Sequence, residues 1–366
     1  MVLLACCIMV PIVLHAQDSS RYSNSQLEFQ AGIYLDVFYG YDFNRPKKTN
    51  RLPYLYHHNR HNEFNINHGI LSFGLNNNRV RANLGLQAGT YVNDNYSAET
   101  NVMKNIYDAN IGVSLDKRNR WWVDAGIFGS SWIGMESTLS FENYNLSHNL
   151  ISENVPYYYS GINTSFQPNK QWLISAIITN GWQRIQRVEG NSLPSFGSQV
   201  AFTSTSGNTY NWSSFIGTDD PDSTRRLRVV NHLNTSLNIN EHFIIGAGFD
   251  IGIQQDNQTS DDWDKWFGTA LILRYSIDEQ SALAIRYEYY HDPQEVIVTS
   301  LNDFEGYKTS GLTLNYDHRL FDIILLRFEG RWLSSPDQIY PDREERLKND
   351  NFFLLGSIAL NWNKVL

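Results

Sequence analysis

The feature that most constrains this chain is a strict alternation of apolar with polar or small side chains, sustained over unusually long segments. Over residues 27–41, Leu27, Phe29, Ala31, Ile33, Leu35, Val37, Tyr39 and Tyr41 fall on one face. Glu28, Gln30, Gly32, Tyr34, Asp36 and Gly40 fall on the other. A period of two puts successive side chains on opposite faces of a strand. The run is far longer than the roughly 5–6 residues of an ordinary globular strand. It is long enough for the roughly 9–11 tilted residues that cross a bilayer.

The pattern returns along the whole chain. At 80–92, Val80, Ala82, Leu84, Leu86, Ala88 and Val92 alternate with Arg81, Asn83, Gly85, Gln87 and Gly89. At 107–115, Tyr107, Ala109, Ile111, Val113 and Leu115 alternate with Asp108, Asn110, Gly112 and Ser114. At 243–253, Phe243, Ile245, Ala247, Phe249, Ile251 and Ile253 oppose Gly246, Gly248, Asp250 and Gly252. Segments 267–275, 283–291, 310–316, 324–332 and 352–362 repeat it. Segments 64–75, 121–128, 158–166, 172–182, 200–204, 210–216 and 229–237 are shorter or less regular. A phase slip near Ile70 and Leu71 predicts a β-bulge.

The segments amount to about sixteen strands, an even number as single-chain bacterial barrels have. Short turns near 76–78, 116–120, 168–170, 206–208, 238–241, 278–280 and 317–320 separate long connections. The long ones fall near 43–62, 93–105, 129–156, 183–198, 218–226, 255–265, 292–306 and 334–350. This alternation predicts an all-β fold, a transmembrane antiparallel up-and-down β-barrel. Its short turns and both termini would be periplasmic and its long loops external.

A soluble β-sandwich also alternates, but its apolar rows would meet in a dry interior. Here the opposite rows are too polar and glycine-rich to be a packed core, and in a sandwich they would be the wet outside of shorter strands. The apolar rows carry no charge apart from Lys364 at the end of the last strand. Charged residues make up 18% of the chain, below the roughly 25% of soluble domains, and aromatics reach 14%. Those aromatics fall in two sets expected at headgroup depth. Trp121, Trp172, Tyr210, Phe243, Tyr275, Tyr316 and Trp362 adjoin short turns. Tyr39, Tyr41, Tyr91, Phe128, Trp182, Phe267, Tyr289 and Phe352 adjoin long loops.

The apolar stretch Val2 to Leu14, followed by Ala16-Gln17, reads as a secretory signal over 1–16. Residues 17–366 would form a single outer-membrane barrel domain. Leu3-Leu4-Ala5-Cys6 resembles a lipobox but lies too early in the apolar stretch. Cys6 and Cys7 both fall in the signal, so a closed hydrogen-bonded barrel replaces disulfides in the exported chain. No run of about 18 apolar residues follows, which excludes spanning helices. A net charge of −9 excludes a basic nucleic-acid footprint.

If the apolar rows meet lipid, the polar rows line a lumen. The early strands place Glu28, Asp36, Arg81, Asp108 and Asp124 there. The later ones place Asp250, Arg274, Arg286, Glu288, Arg327, Glu329 and Arg331. A mostly acidic half opposite a mostly basic half would set up a transverse field on a passing solute. The simpler reading of Arg286/Glu288 and Arg327/Glu329/Arg331 is mutual pairing on the wall. The longest loop, 129–156, fits either a constriction folded into the pore or an external cap. His57, His58 and His61 with Glu63 are transition-metal donor types. They lack a complementary zinc-spaced set, so loop hydrogen bonding is the simpler reading, and no metal or cofactor is expected. There is no Gly-x-Ser-x-Gly, His-Glu-x-x-His or phosphate-cradling loop, and no enzyme is expected.

Several stretches carry a resemblance. They are Pro53-Tyr54-Leu55-Tyr56, His58-Asn59-Arg60-His61-Asn62-Glu63-Phe64-Asn65, Gln87-Ala88-Gly89-Thr90-Tyr91 and Asn105-Ile106-Tyr107-Asp108-Ala109-Asn110. Trp122-Val123-Asp124-Ala125-Gly126-Ile127-Phe128, Glu136-Ser137, Glu153-Asn154-Val155-Pro156-Tyr157-Tyr158 and Asn180-Gly181-Trp182-Gln183-Arg184 continue it. Together they resemble the β-barrel porin family of the OmpL-like type, most densely over 53–185. Barrels of this kind commonly end in an aromatic, whereas this sequence ends in Leu366.

The resemblance implies an outer-membrane barrel of porin type and brings no defined substrate; the strand pattern itself leads to a Gram-negative porin through whose water-filled lumen small polar or charged solutes diffuse. Rival readings are a substrate-selective channel or a barrel whose surface loops carry an adhesin or enzyme activity. Outer-membrane lipid and small solutes are the expected partners. A homo-oligomer is compatible with the sequence, but no patch demands one.

Overall fold

The computed structural model describes residues 27–129, 132–259, 261–301 and 306–366; the signal read at 1–16 lies outside them. Sixteen strands close into one antiparallel barrel. The first half comprises β1 (Glu28–Asp42), β2 (Glu63–Asn76), β3 (Val80–Ala88), β4 (Ile106–Ser114), β5 (Trp121–Phe128), β6 (Tyr159–Phe166), β7 (Trp172–Thr179) and β8 (Ser195–Thr203). The second comprises β9 (Thr209–Gly217), β10 (Arg228–Asn238), β11 (Phe243–Gln255), β12 (Trp263–Ser276), β13 (Ser281–Asp292), β14 (Tyr307–Leu320), β15 (Ile324–Ser334) and β18 (Asp350–Val365). A small hairpin, β16 (Tyr340–Pro341) with β17 (Leu347–Lys348), sits in the last loop.

Each barrel strand pairs with its sequence neighbour. β18 closes the ring against β1, from Gln30↔Val365 to Asp42↔Phe353. Closure leaves no edge, so the ladder satisfies its own backbone groups where lipid offers no partner. Among the described residues no helix is long and apolar enough to cross a membrane.

The alternation sets the two faces. In β1, Ile33 and Leu35 are 44% and 38% exposed, while Tyr34, Asp36 and Phe38 between them are buried. Leu271 and Leu273 on β12, Leu312 and Leu314 on β14, and Leu354 and Ile358 on β18 are likewise exposed. Apolar rows facing outward all round the wall are the arrangement of a barrel solvated by acyl chains.

Four local expectations need correction. The phase slip in β2 falls at Asn67 and His68, which are buried in succession, slightly before Ile70. Phe64 and Ile66 are outward before it, Leu71 and Phe73 after it. The segment 80–92 is not one strand. β3 stops at Ala88, Gly89 takes φ 137°, and a short helix α1 (Thr90–Asn95) carries Tyr91 and Val92 inside. A side chain at Gly89 would strike the Asn67 carbonyl, so the inward turn needs glycine. Tyr107 is also inward. The β3–β4 register shifts between Gly85 and Leu86, and the Tyr107 ring sits 5.9 Å from His68. β14 runs on to Leu320, so Asp317 is a wall residue rather than part of a turn.

The aromatic set beside the short turns is outward as read, with Trp121, Trp172, Tyr210, Phe243 and Tyr275 all exposed. In the other set, Tyr91, Phe128 and Trp182 turn inward instead. Phe128 stacks on buried Tyr159 at 4.6 Å, and Trp182 packs on buried Phe215 at 4.9 Å.

The largest departure concerns the lumen, where the inward rows were expected to be too polar for a packed interior. Leu52, Tyr54, Leu55, Trp132, Leu146, Leu150, Ile151 and Val155 pack there against Phe38, Phe215, Trp266, Tyr290, Phe353 and Leu355. The first group comes from the loops 43–62 and 129–158, so the strand pattern carries no trace of it.

Candidate functional site

The site is the lumen and the loop laid through it. After β5, the Trp132 indole donates to the Ser214 carbonyl on β9 at 2.8 Å. The Tyr144 hydroxyl reaches Ser236 of β10 at 2.8 Å. Loop 129–156 is therefore an inserted constriction, one of the two dispositions its sequence allowed. A short helix α2 (Leu150–Glu153) follows, capped by the Asn149 side chain accepting from the Ser152 amide at 2.8 Å. Glycines on the inward rows of β11 and β12 make room for it. A β-carbon at Gly248 would lie 2.5 Å from Met135 Sδ and 2.9 Å from Ile151 Cδ1, and Gly268 backs directly onto Ile151.

The far wall holds the loop through buried charges. The Leu146 amide donates to Glu329 Oε2 at 2.9 Å, and the Ser147 hydroxyl donates to the same carboxylate. The Leu150 amide donates to Glu288 Oε2 at 2.8 Å. Arg286 donates to the Ser147 carbonyl at 2.6 Å and lies 3.6 Å from Glu136 and from Glu288. Arg327 donates to the carbonyls of Ser140 and Asn143 and pairs with Asp317 through two bonds. Arg331 pairs with Glu288, both bonds at 2.8 Å. Charge-assisted bonds of this kind are the strong ones. Burial is the main cause that pushes the loop carboxyl Glu136 up to about 7, against the opposing pull of Arg286.

Loop 43–62 folds inward from β1. His58 Nε2 sits 2.8 Å from Asp36 Oδ2, and Asp36 also accepts from Asn67, Ser140 and Ser357. Glu153 of α2 accepts from the amides of Tyr56 and His57, so the two inserted loops are tied together. Burial lowers His57 and, more strongly, His148, whose rings stack 3.6 Å apart.

The remaining wall is more open. Arg81 pairs with Asp124 at 2.6 and 2.5 Å beside Trp122, and its side chain is 36% exposed. Half-buried amides line this side, with Asn83 bonded to Asn110 and Gln199 to Asn211, both at 2.9 Å. Two cavities lie along the loop toward the short-turn end. One, of about 200 Å³, is lined by Tyr144, Arg274, Asp317 and Arg319; the other, of about 160 Å³, by Glu136, Tyr144, Asn234 and Ser236.

The charged residues read from the sequence thus fall into three groups. Asp36, Arg286, Glu288, Arg327, Glu329 and Arg331 meet the inserted loops. Arg81 with Asp124, and Arg274 with Asp317 at 3.0 Å, pair across the wall. Asp108 accepts from the Gly129 amide at 2.8 Å, and Asp250 pairs with His232. Of the expected pairings, Arg286/Glu288 is present, whereas Arg331 also takes Glu288, Arg327 takes Asp317 and Glu329 takes loop amides. Sequence reading missed Asp317, His148, Glu153 and Ser147. The signal that was available is the apolar content of 129–156, with Ile133, Leu139, Leu146, Leu150, Ile151 and Val155. An external cap has no use for so many.

The fold has close parallels among solved structures. The anion-selective porin from Comamonas acidovorans is 11% identical, with a TM-score of 0.62, over 92% of this chain and 100% of that one. The outer membrane channel DcaP of Acinetobacter baumannii is 9% identical, with a TM-score of 0.60, over 91% and 97%. Salmonella typhi OmpF, in complex with daunomycin, is 8% identical, with a TM-score of 0.58, over 91% and 97%. No curated protein sequence matches the chain. The family described as "Putative beta-barrel porin-2, OmpL-like" matches residues 28–361, nearly all of the barrel. The chain belongs to that family and is an outer-membrane β-barrel porin.

Proposed function

We propose that small polar and charged solutes diffuse along the part of the lumen that the inserted loop leaves open, past the half-buried amides Asn83, Asn110, Gln199 and Asn211. The observation that carries this is the uneven anchoring of loop 129–156, which reaches β9 and β10 through Trp132, Gly134 and Tyr144 but meets buried charge on β13–β15. Its polar contacts concentrate on β13–β15, whose inward Arg286, Arg327 and Arg331 are fully buried, while Arg81 on β3 is 36% exposed. The inward charges Asp36, Arg81, Asp108, Asp124, Asp250, Arg274, Arg286, Glu288, Arg327, Glu329 and Arg331 set the field of that route. In the two wall pairs that stay partly exposed, the guanidinium is the exposed partner. Arg81 and Arg274 are 36% and 21% exposed, their carboxylates Asp124 and Asp317 only 4% and 3%. Water in the lumen therefore meets more positive than negative charge, which favours small anions.

The packing of loop side chains into the lumen supports a low-conductance channel over a wide one. The inward commitment of the loop hydrophobes argues against an adhesin or enzyme borne on loops. Single-channel recording in planar bilayers tests the reading. Small ohmic steps with a reversal potential displaced toward the anion are expected. Absence of steps above the lipid baseline overturns it.

A further inference from the structure

The two loops that enter the lumen bring together groups that the passage of solutes does not use. His57 from loop 43–62 meets His148 and Glu153 from loop 129–158. One nitrogen of each imidazole and a carboxylate oxygen all lie within 4.8 Å of one another. All three side chains are buried, at 1%, 0% and 1% exposure.

Their hydrogen bonds fix where the lone pairs point. His57 Nε2 faces the Thr138 carbonyl at 3.3 Å, and His148 Nε2 faces the neighbouring Ser137 carbonyl at 2.8 Å. A carbonyl only accepts, so each neutral ring carries its proton on Nε2 and presents a bare Nδ1. Backbone carbonyls on the outer nitrogen are the usual way that ligating histidines are oriented. His57 Nδ1 has no hydrogen-bond partner, although it is buried. It faces Glu153 Oε2 at 3.8 Å. A nitrogen lone pair and a carboxylate held at this distance repel each other. His148 Nδ1 accepts from the Tyr157 hydroxyl at 2.8 Å, a bond an incoming cation would replace.

We propose that His57, His148 and Glu153 form a binding site for a divalent transition metal ion that clips the two lumenal loops together. Two imidazoles and one carboxylate suit zinc, nickel, copper or cobalt rather than calcium or magnesium. Ligands on tetrahedral zinc stand about 3.4 Å apart at Zn–N and Zn–O lengths near 2.0–2.1 Å. Binding therefore draws the three side chains together by on the order of 1 Å. His61 and Glu63, which share the histidine-rich run in the sequence, lie elsewhere. His61 Nδ1 accepts from the Asp42 amide at 3.0 Å, and Glu63 Oε1 is 3.9 Å from Arg60.

The test uses the untagged mature barrel, folded in detergent, stripped with a chelator and titrated with Zn²⁺ by calorimetry and with Co²⁺ by visible absorption. One equivalent is expected, with cobalt bands of a four- or five-coordinate site and no competition from Ca²⁺. His57→Phe keeps a ring stacked on His148 and removes the free nitrogen; it is expected to lose the equivalent. Glu153→Gln is expected to do the same, and His61→Gln to retain it. Folding of every variant is checked by heat-modifiable migration, and His57→Phe decides the outcome if Glu153→Gln fails to fold. A folded barrel that takes up no stoichiometric Zn²⁺, or that binds equally well as His57→Phe, overturns the proposal.

Discussion

Arg331 of β15 and Glu288 of β13 meet over the top of the strand between them, with both bonds at 2.8 Å. The intervening β14 residue is Gly311, and a β-carbon there would lie 2.5 Å from Glu288 Oε1. Arg81 of β3 and Asp124 of β5 repeat the arrangement over Gly112 of β4, which backs onto the Asp124 carboxylate. In both places a bare backbone lets a pair skip one strand. Such pairs lock three strands rather than two.

Glu288→Gln should leave Arg331 with buried, uncompensated charge, weaken the compensation of Arg286, and set an amide NH2 against a donor that the carboxylate now accepts from. Removing one partner of a buried pair costs about 3–5 kcal/mol. Gly311→Val should have a similar sign by wedging the carboxylate aside. Urea midpoints of the detergent-folded barrel should fall for both. An unchanged midpoint for Glu288→Gln would show that the pair is dispensable.

Gly268→Leu should unseat Ile151 and with it α2, without touching a barrel hydrogen bond, because the new side chain occupies the loop's own space. The expected readouts are a larger single-channel step and new protease cleavage within 132–156. Retention of the wild-type step size would place the constriction elsewhere.

Glu136 titrates near neutrality, its carboxyl raised from 4.5 to about 7, chiefly by burial. The folded state then binds more protons than the unfolded state between those values, so this group's stabilising contribution is complete below pH 4.5 and is lost as pH rises through 7. Its neutral form also leaves Arg286 less compensated. Anion preference should therefore be greater at pH 5.5 than at pH 8.5, with Glu136→Gln flattening the dependence. A wild-type reversal potential that does not move across this range would remove Glu136 from the field of the route.

Leu271→Arg puts a charge on the lipid face at a residue that is 53% exposed. Near the bilayer midplane this costs about 2–4 kcal/mol. Ala201→Arg, on an inward row, should cost under about 1 kcal/mol and act on selectivity instead. Folding titrations into lipid vesicles measure both. Equal penalties would contradict the assignment of the two faces.

The wall was legible because its rule is local: Ile33 is outward and Tyr34 inward for reasons contained in two consecutive residues. The same rule failed at Gly89, where a single positive φ sends Tyr91 inside, and at Tyr107, where one extra residue reverses the side. The site was legible only in part. Arg286, Glu288 and Arg331 announce themselves as inward charges. Their engagement with Ser147 and Leu150 joins residues well over a hundred positions apart. His57 was visible as a donor, whereas His148 and Glu153 become its neighbours only through the insertion of a loop. Periodicity contains no information about where a loop goes; matching a run of hydrophobes to a floor of glycines does.

The contacts of loop 129–156 also bear on how the wall can be closed. Its anchors on β13–β15 are made more than a hundred residues after the loop itself, and the ring is sealed only when β18 zips onto β1. A finished cylinder would have to admit the loop through its mouth. Seating the loop while β1 and β18 are still apart avoids that passage, and β18, paired with both β15 and β1, is the strand that shuts the wall around it.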